Sequence, residues 1–216
     1  MPDRHAVLSA SSSHRWLECP PSALLCSTAG DTPSEFAMQG TDAHSLCEHK
    51  LKTALGQQSK DPTENLTFFD EEMADCSDMY SQYVMEQFAA AKEKCKDPIV
   101  LIEQRLDFSK WVPQGFGTGD CVIVADETLT VIDFKYGVGI LVEAEKNPQM
   151  MCYALGALQL FDSIYDIDSV TMTIFQPRRD SVSTYTISKE ELLKWADEVL
   201  APTAQLAAKG EGEYKA

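Results

Sequence analysis

A chain of 216 residues with 44% hydrophobic content is long enough to bury a substantial core, and one domain is the default at that length. Its formal net charge of −16 excludes a whole-protein field that would attract an anionic polymer, so any nucleic-acid binding must be local, through a metal or a small basic patch. Met1 to Ala10 carry no long apolar run, and no stretch approaches the roughly 20 apolar residues of a membrane span. Seven scattered cysteines without a CxxC pair suit reduced thiols rather than a disulfide framework, so a soluble, cytoplasmic protein with no membrane contact is expected.

In chain order, SASSSHRWLECPPSALL opens with serines that can cap a short helix and breaks at Pro20-Pro21, predicting a helical turn and then a loop. A better helix is expected from Gly40, with Thr41 or Asp42 as N-cap, Ala43, Cys47, Leu51 and Leu55 four residues apart, and an end near Gly56. After a polar loop over Lys60 to Phe69, Asp70 caps a long helix whose Met73, Cys76, Tyr80, Tyr83, Val84, Phe88 and Ala91 keep helical spacing up to Asp97-Pro98. Ile99 to Phe108, Gly119 to Ala125 and Leu129 to Lys135 read as three strands of a meander, the last two joined by a turn at Asp126-Glu127. Asn147 and Pro148 open a helix through Leu160, Ser169 to Phe175 is a further strand, and an edge strand lies near Tyr185. Ser188 and Glu191 form a capping box for a final helix. The expectation is an α/β fold with a mixed central sheet flanked by helices: a helical part over 1–97, the sheet and its crossing helix over 98–187, and a C-terminal helix and tail over 188–216.

The hairpin carries the chemistry. With Asp126 and Glu127 as turn residues, Ala125 faces Thr128, and counting back along both strands sets Asp120 opposite Asp133. Val122, Val124, Leu129 and Val131 share their face, and Cys121, Ile123, Ile132 and Phe134 occupy the other, so the acids sit at the end of a buried sheet. Facing carboxylates destabilise a sheet, and burying them adds a desolvation penalty, so a raised pKa, a basic partner or a bound cation must compensate. A divalent metal answers best, because hard cations take carboxylate oxygens plus waters and leave positions for a phosphate. Lys135 projects from the same face as Asp133, where it can reach a nucleophilic water or a phosphate oxygen. The bland alternative is an ordinary Asp133–Lys135 ion pair at a strand end; the Gly-rich run GFGTGD, which lets a ligand approach the backbone, weighs against it.

These residues resemble the PD-(D/E)XK nuclease superfamily, in particular its RecB-like exonuclease branch, which includes phage-encoded members. Gly119-Asp120 with Val131-Ile132-Asp133-Phe134-Lys135 is similar to the core motif, Gln149 with Tyr153 to the Q-x-x-x-Y motif, and Gly40 to His44 to the G-x-x-x-H motif. The resemblance implies a restriction-endonuclease-like core. It also implies that His44, Asp120, Asp133 and the Phe134 backbone carbonyl ligate one or two Mg²⁺ or Mn²⁺ ions. Lys135 then stabilises developing charge, Glu103 assists, and Gln149 and Tyr153 contact nucleic acid. Glycine precedes Asp120 where the superfamily name has proline. The branch often holds an iron–sulfur cluster on one N-terminal and three C-terminal cysteines; Cys19 matches the first, but no cysteine follows Cys152, so Cys19 is an orphan and no cluster is expected in this chain.

The expected function is hydrolysis of DNA phosphodiester bonds, as an exonuclease on single strands or free ends in phage recombination or DNA processing. The alternatives are a weak or inactive nuclease-fold binding module acting through a nucleic-acid or protein partner, and an acidic mimic of nucleic acid. A protein partner or an oligomer is open. Taken without the motif, His44 could bond Glu48 one turn on, whereas His5, His14 and His49 have no comparable context. The Arg178-Arg179 pair could hold a phosphate backbone or lie in a solvated loop, and Trp16, Trp111 and Trp195 could stack on bases or anchor the core.

Overall fold

The computed structural model describes residues 6–28 and 34–215, so His5 lies outside the described residues. Five strands form one sheet in the order β1 (Ile99–Asp107), β2 (Phe116–Val124), β3 (Glu127–Phe134), β4 (Ile167–Gln176), β5 (Ser181–Ser188). β1, β2 and β3 are an antiparallel meander, β3 and β4 pair in parallel, and β5 returns antiparallel as an edge strand. The parallel step needs a crossover, which the helix Pro148–Phe161 supplies. Its N-cap is Asn147, whose side chain accepts from the N–H groups of Gln149 and Met150. The result is the expected mixed sheet flanked by helices, and no helix of the described residues is long and apolar enough to cross a membrane.

The helices are α1 (Ser13–Glu18), α2 (Ser22–Ser27), α3 (Glu35–Ala54), α4 (Glu71–Lys94), the crossover α5 (Pro148–Phe161), α6 (Lys189–Trp195) and α7 (Ala201–Lys209). Four differ from the sequence reading. The loop expected after Pro20-Pro21 is the helix α2, with Pro21 at the N-cap, where a missing N–H loses no helical bond. α3 starts before Gly40 because Ser34 caps it, accepting from the Ala37 N–H. Asp42, expected as a cap, instead accepts the Thr67 and Phe68 N–H groups at 2.7 and 2.8 Å and pins the loop ahead of α4. The single final helix is interrupted by a π-helical turn over Ala196–Leu200, next to Pro202, which has no N–H to donate one turn back. Asp70, Asn147 and the Ser188–Glu191 capping box behave as their sequence context predicts.

The sheet is buried on both faces. Val122, Val124, Leu129 and Val131 pack with α5 and the C-terminal helices, while Cys121, Ile123, Ile132 and Phe134 pack under α3 and α4. The four described pairs of the β2–β3 ladder, from Val124↔Leu129 to Cys121↔Ile132, keep the register read from the Asp126-Glu127 turn. All seven cysteines are free, and five of them are buried. Trp16 and Trp111 are buried and Trp195 is packed against the same core, so the tryptophans serve as anchors.

Two helix glycines have opposite roles. A Cβ at Gly40 would meet nothing within 4 Å, whereas at Gly156 it would lie 2.9 Å from Leu106 Cβ and 3.0 Å from the Leu106 carbonyl carbon, so α5 rests almost on the β1 backbone. Gly40→Ala is therefore expected to stabilise by about 0.5–1 kcal/mol through lower backbone entropy in the unfolded chain. Gly156→Ala should destabilise by about 1–3 kcal/mol through overpacking. Urea midpoints measure both, and shifts of the same sign would contradict this packing.

Candidate active site

Three acids lie in a row across three strands. The β1–β2 ladder passes from Ile102↔Cys121 to Gln104↔Gly119, which leaves Glu103 facing Asp120, and Asp133 follows Ile132 on the far side of Asp120. Glu103 adopts a left-handed φ of 50°, a conformation that costs a non-glycine residue on the order of 1–3 kcal/mol. Its consequence is visible in the burial pattern. Ile102 packs under α3 and α4, whereas Leu106, an even number of residues later, packs on the α5 side, so the strand's alternation inverts at Glu103. That inversion occurs where Glu103 joins His44 and Asp120 in a group whose ligand-type atoms all lie within 4.8 Å of one another.

Each central acid is met from a different layer. His44, on α3, places Nδ1 3.2 Å from Asp120 Oδ1, with its ring edge-on to Phe134 at 5.5 Å between centroids. Asp120 Oδ2 accepts the Phe134 backbone N–H at 2.7 Å, so the carboxylate satisfies the strand where the β2–β3 ladder ends. On the α5 side, Lys135 Nζ lies 2.9 Å from Asp133 Oδ2 and donates to Gln149 Oε1 at 3.2 Å. Gln149 Nε2 donates in turn to Asp133 Oδ1 at 3.3 Å and to the Tyr153 hydroxyl at 3.2 Å. Asp133 Oδ2 is buried and has the Lys135 ammonium as its ion-pair partner.

The electrostatics follow from crowding charges at low solvent exposure. Burial disfavours the His44 imidazolium, but Asp120, Asp133 and Glu103 outweigh it and lift the imidazole to about 9. Burial, reinforced by Asp120, raises Glu103 to about 7. Asp133 is also raised, by burial first and by Asp120 next, against the pull of Lys135. For Asp120 burial is outweighed by His44 and by the Phe134 N–H, which hold it below the usual carboxylate range. Lys135 is raised because Asp133 and Asp120 overcome its own burial. Protonated His44 and Lys135 oppose the charge of the acids from either side of the row. The donor set, carboxylates and one imidazole gathered within ligand distance of one another at low solvent exposure, fits a hard divalent ion.

The structure thus gathers His44, Glu103, Asp120, Asp133, Lys135, Gln149 and Tyr153 around the C-terminal end of β3, at mid-length of β1 and β2. His44 pairs with Asp120 and not with Glu48, which bonds Lys52. Glu103, read as an assisting residue, stands within the ligand-type group, while Asp133 lies outside it and is held by Lys135 and Gln149. Gln149 and Tyr153, assigned by resemblance to nucleic-acid contact, point inward: Gln149 bonds Lys135 and Asp133, and Tyr153, 5% exposed, accepts from Gln149. Arg178 is 2.9 Å from Glu72 and stacks over Tyr136, and Arg179 donates to the Val138 carbonyl, so both arginines serve the protein itself. Cys19 Sγ accepts from the Lys215 N–H at 3.4 Å.

The family described as "Protein of unknown function (DUF2800)" matches residues 5–216. Among solved structures, the crystal structure of SSO0001 aligns over 94% of this chain and 89% of its own at 10% identity, with a TM-score of 0.30. Likeness at that level fixes neither fold nor activity.

Proposed function

The chain belongs to the DUF2800 family, and for it we propose metal-dependent hydrolysis of DNA phosphodiester bonds by a site of the PD-(D/E)XK type, acting on single strands or free ends. The observation that carries this reading is the row Glu103, Asp120, Asp133 at one level of three adjacent strands, with Lys135 beside it. Packing gives no reason for it. Like charges side by side in a buried sheet reduce stability, as does the left-handed Glu103, and such strain gathers where function requires it.

His44, Asp120 and Asp133, with the Phe134 carbonyl, are the residues that would hold Mg²⁺ or Mn²⁺, and Glu103 stands next to them. When bound, such an ion supplies a Lewis acid for the phosphoryl oxygens and lowers the pKa of water. The chain's own contribution is positional. Lys135, fixed between Asp133 and Gln149, presents an ammonium to the negative charge that develops on the phosphoryl group. Gln149 keeps that lysine and Asp133 in one arrangement and ties both to Tyr153. With a net charge of −16, the protein should bind DNA weakly and with strong salt dependence.

Incubation with end-labelled single- and double-stranded DNA tests this reading. Shortening of at least one substrate with Mn²⁺, and none with EDTA, is the expected result. Retention of intact DNA that remains bound to the protein would instead indicate a binding module.

A further inference from the structure

The helix α3 carries an apolar stripe that outruns the domain beneath it. Phe36, Gly40, Ala43, Cys47 and Leu51 follow one another at steps of three and four residues, so they share the helix face that packs toward the sheet. Ala43, Cys47 and Leu51 are buried there, whereas Phe36 is 82% exposed and a Cβ at Gly40 would meet nothing within 4 Å. The start of the helix therefore overhangs, and its inward face is unoccupied among the described residues. The overhang is nonetheless firmly set, since Ser34 caps its first turn and Asp42 is tied to the Thr67 and Phe68 N–H groups. A large ring on the core-facing stripe, with no core under it, is the kind of exposure that marks a binding surface.

The overhang adjoins the acid row. His44, one turn beyond Gly40 and at the edge of the same stripe, places Nδ1 against Asp120, so the open space under Gly40 begins one helical turn from the site. From Phe36 to His44 the helix rises about 12 Å, the length of about three stacked nucleotides at roughly 3.4 Å each. The chemistry of the face narrows its occupant. One phenylalanine buries about 150–250 Å², far below the roughly 800 Å² per partner of a stable protein interface, so a second copy of the chain gains too little here. No lysine or arginine lies between Ser34 and Lys50, and Glu35 adjoins the ring, so a phosphate is not attracted. An unpaired base meets the remaining conditions, because it is neutral and presents a flat π face to the ring.

Resting on the nuclease reading, we propose that Phe36 is a stacking platform for an unpaired base of the substrate, about three nucleotides from the scissile phosphate, with the strand passing beneath Gly40 to the acid row. A protein of net charge −16 gains from this a hold on its polyanion that does not depend on attracting phosphate. The platform also selects single strands and frayed ends, because the base faces of an intact duplex are covered by their neighbours.

The test is binding of fluorescent single-stranded oligonucleotides, followed by anisotropy in EDTA, with one abasic residue moved along the strand. Wild type and Phe36→Ala are compared, with Phe36→Trp as the variant that keeps a stacking face. Phe36→Ala should weaken binding about tenfold, within the range for one base–aromatic stack, and leave the log–log salt slope unchanged, because no phosphate contact is lost. At one position the abasic residue should weaken wild type about tenfold and leave Phe36→Ala unchanged, while Phe36→Trp behaves as wild type. Equal loss in both proteins at every abasic position, a smaller salt slope in Phe36→Ala, or wild-type affinity in Phe36→Ala overturns the proposal. So does concentration-dependent self-association that Phe36→Ala abolishes, which would make the face a contact between copies of this chain. Cleavage of the unmodified strand with Mn²⁺ is the separate arm, in which Phe36→Ala should raise KM about tenfold at unchanged kcat. Wild-type cleavage with unaltered binding by Phe36→Ala refutes the platform alone. The position-dependent abasic effect without cleavage keeps the platform as a binding contact and refutes the nuclease reading, and absence of both cleavage and binding refutes the two together.

Discussion

Lys135→Ala is expected to reduce the rate of DNA cleavage by about 10²–10⁴-fold, the range for loss of a positioned proton-transfer or charge-stabilising group. The loss should fall on kcat, because the ammonium sits at the acid row, where charge develops in the transition state. The backbone has no reason to move, since the Lys135 N–H donates to the Phe175 carbonyl and keeps the β3–β4 step whatever the side chain. The side chain does matter to Asp133, whose carboxylate is 3% exposed and has Lys135 as its cationic neighbour. Removal therefore leaves a buried acid without its counter-charge, which destabilises the fold. Lys135→Met, which preserves most of the stem, separates the two effects. Single-turnover rates within threefold of wild type for a folded Lys135→Met would contradict the assigned role.

The second large effect is expected at Asp120. Asp120→Asn keeps an oxygen that can accept the Phe134 N–H but removes the charge that faces His44 and Glu103. Calorimetric titration with Mn²⁺ should show affinity reduced by more than about 100-fold, because loss of an outer-shell partner alone lowers affinity 10–100-fold. Wild type should gain about 2.7 kcal/mol of stability at a metal concentration 100 times its dissociation constant, and the variant less than about 0.4 kcal/mol at the same concentration. Asp120→Ala should in addition lose about 1–3 kcal/mol without metal, since it strands the Phe134 N–H and leaves His44 without its nearest acid. Equal Mn²⁺ stabilisation of wild type and Asp120→Asn would remove Asp120 from the site.

What was legible in the sequence was local. The Asp126-Glu127 turn between two apolar runs fixes the hairpin register, and apolar residues on both faces mark a buried sheet, so the approach of Asp120 to Asp133 could be read by counting. Caps such as Asp70, Asn147 and Ser188 were equally visible, because they act on the chain within three residues. The rest depends on distant partners. Asp42 looks like a cap, yet bonds a loop 25 residues away. The left-handed turn at Glu103 has no sequence signal, since an ordinary glutamate prefers φ below zero, and that turn draws Glu103 into the acid group and sends Leu106 to the α5 side. Arg178 and Arg179, conspicuous in the sequence as a basic pair, are committed to Glu72 and the Val138 carbonyl, partners 106 and 41 residues away.

The net charge of −16 and the acid row are compatible only if the protein concentrates its attraction at one place. His44 reaches the row from the layer above the sheet and Gln149 from the layer below, so the place is the seam between the layers at the end of β3. Anomalous diffraction from crystals soaked in Mn²⁺ locates the ion without reference to activity. One or two peaks enclosed by His44, Glu103, Asp120 and Asp133 are expected, and they should disappear in Asp120→Asn. Peaks elsewhere on the acidic surface, with none at this seam, would contradict it.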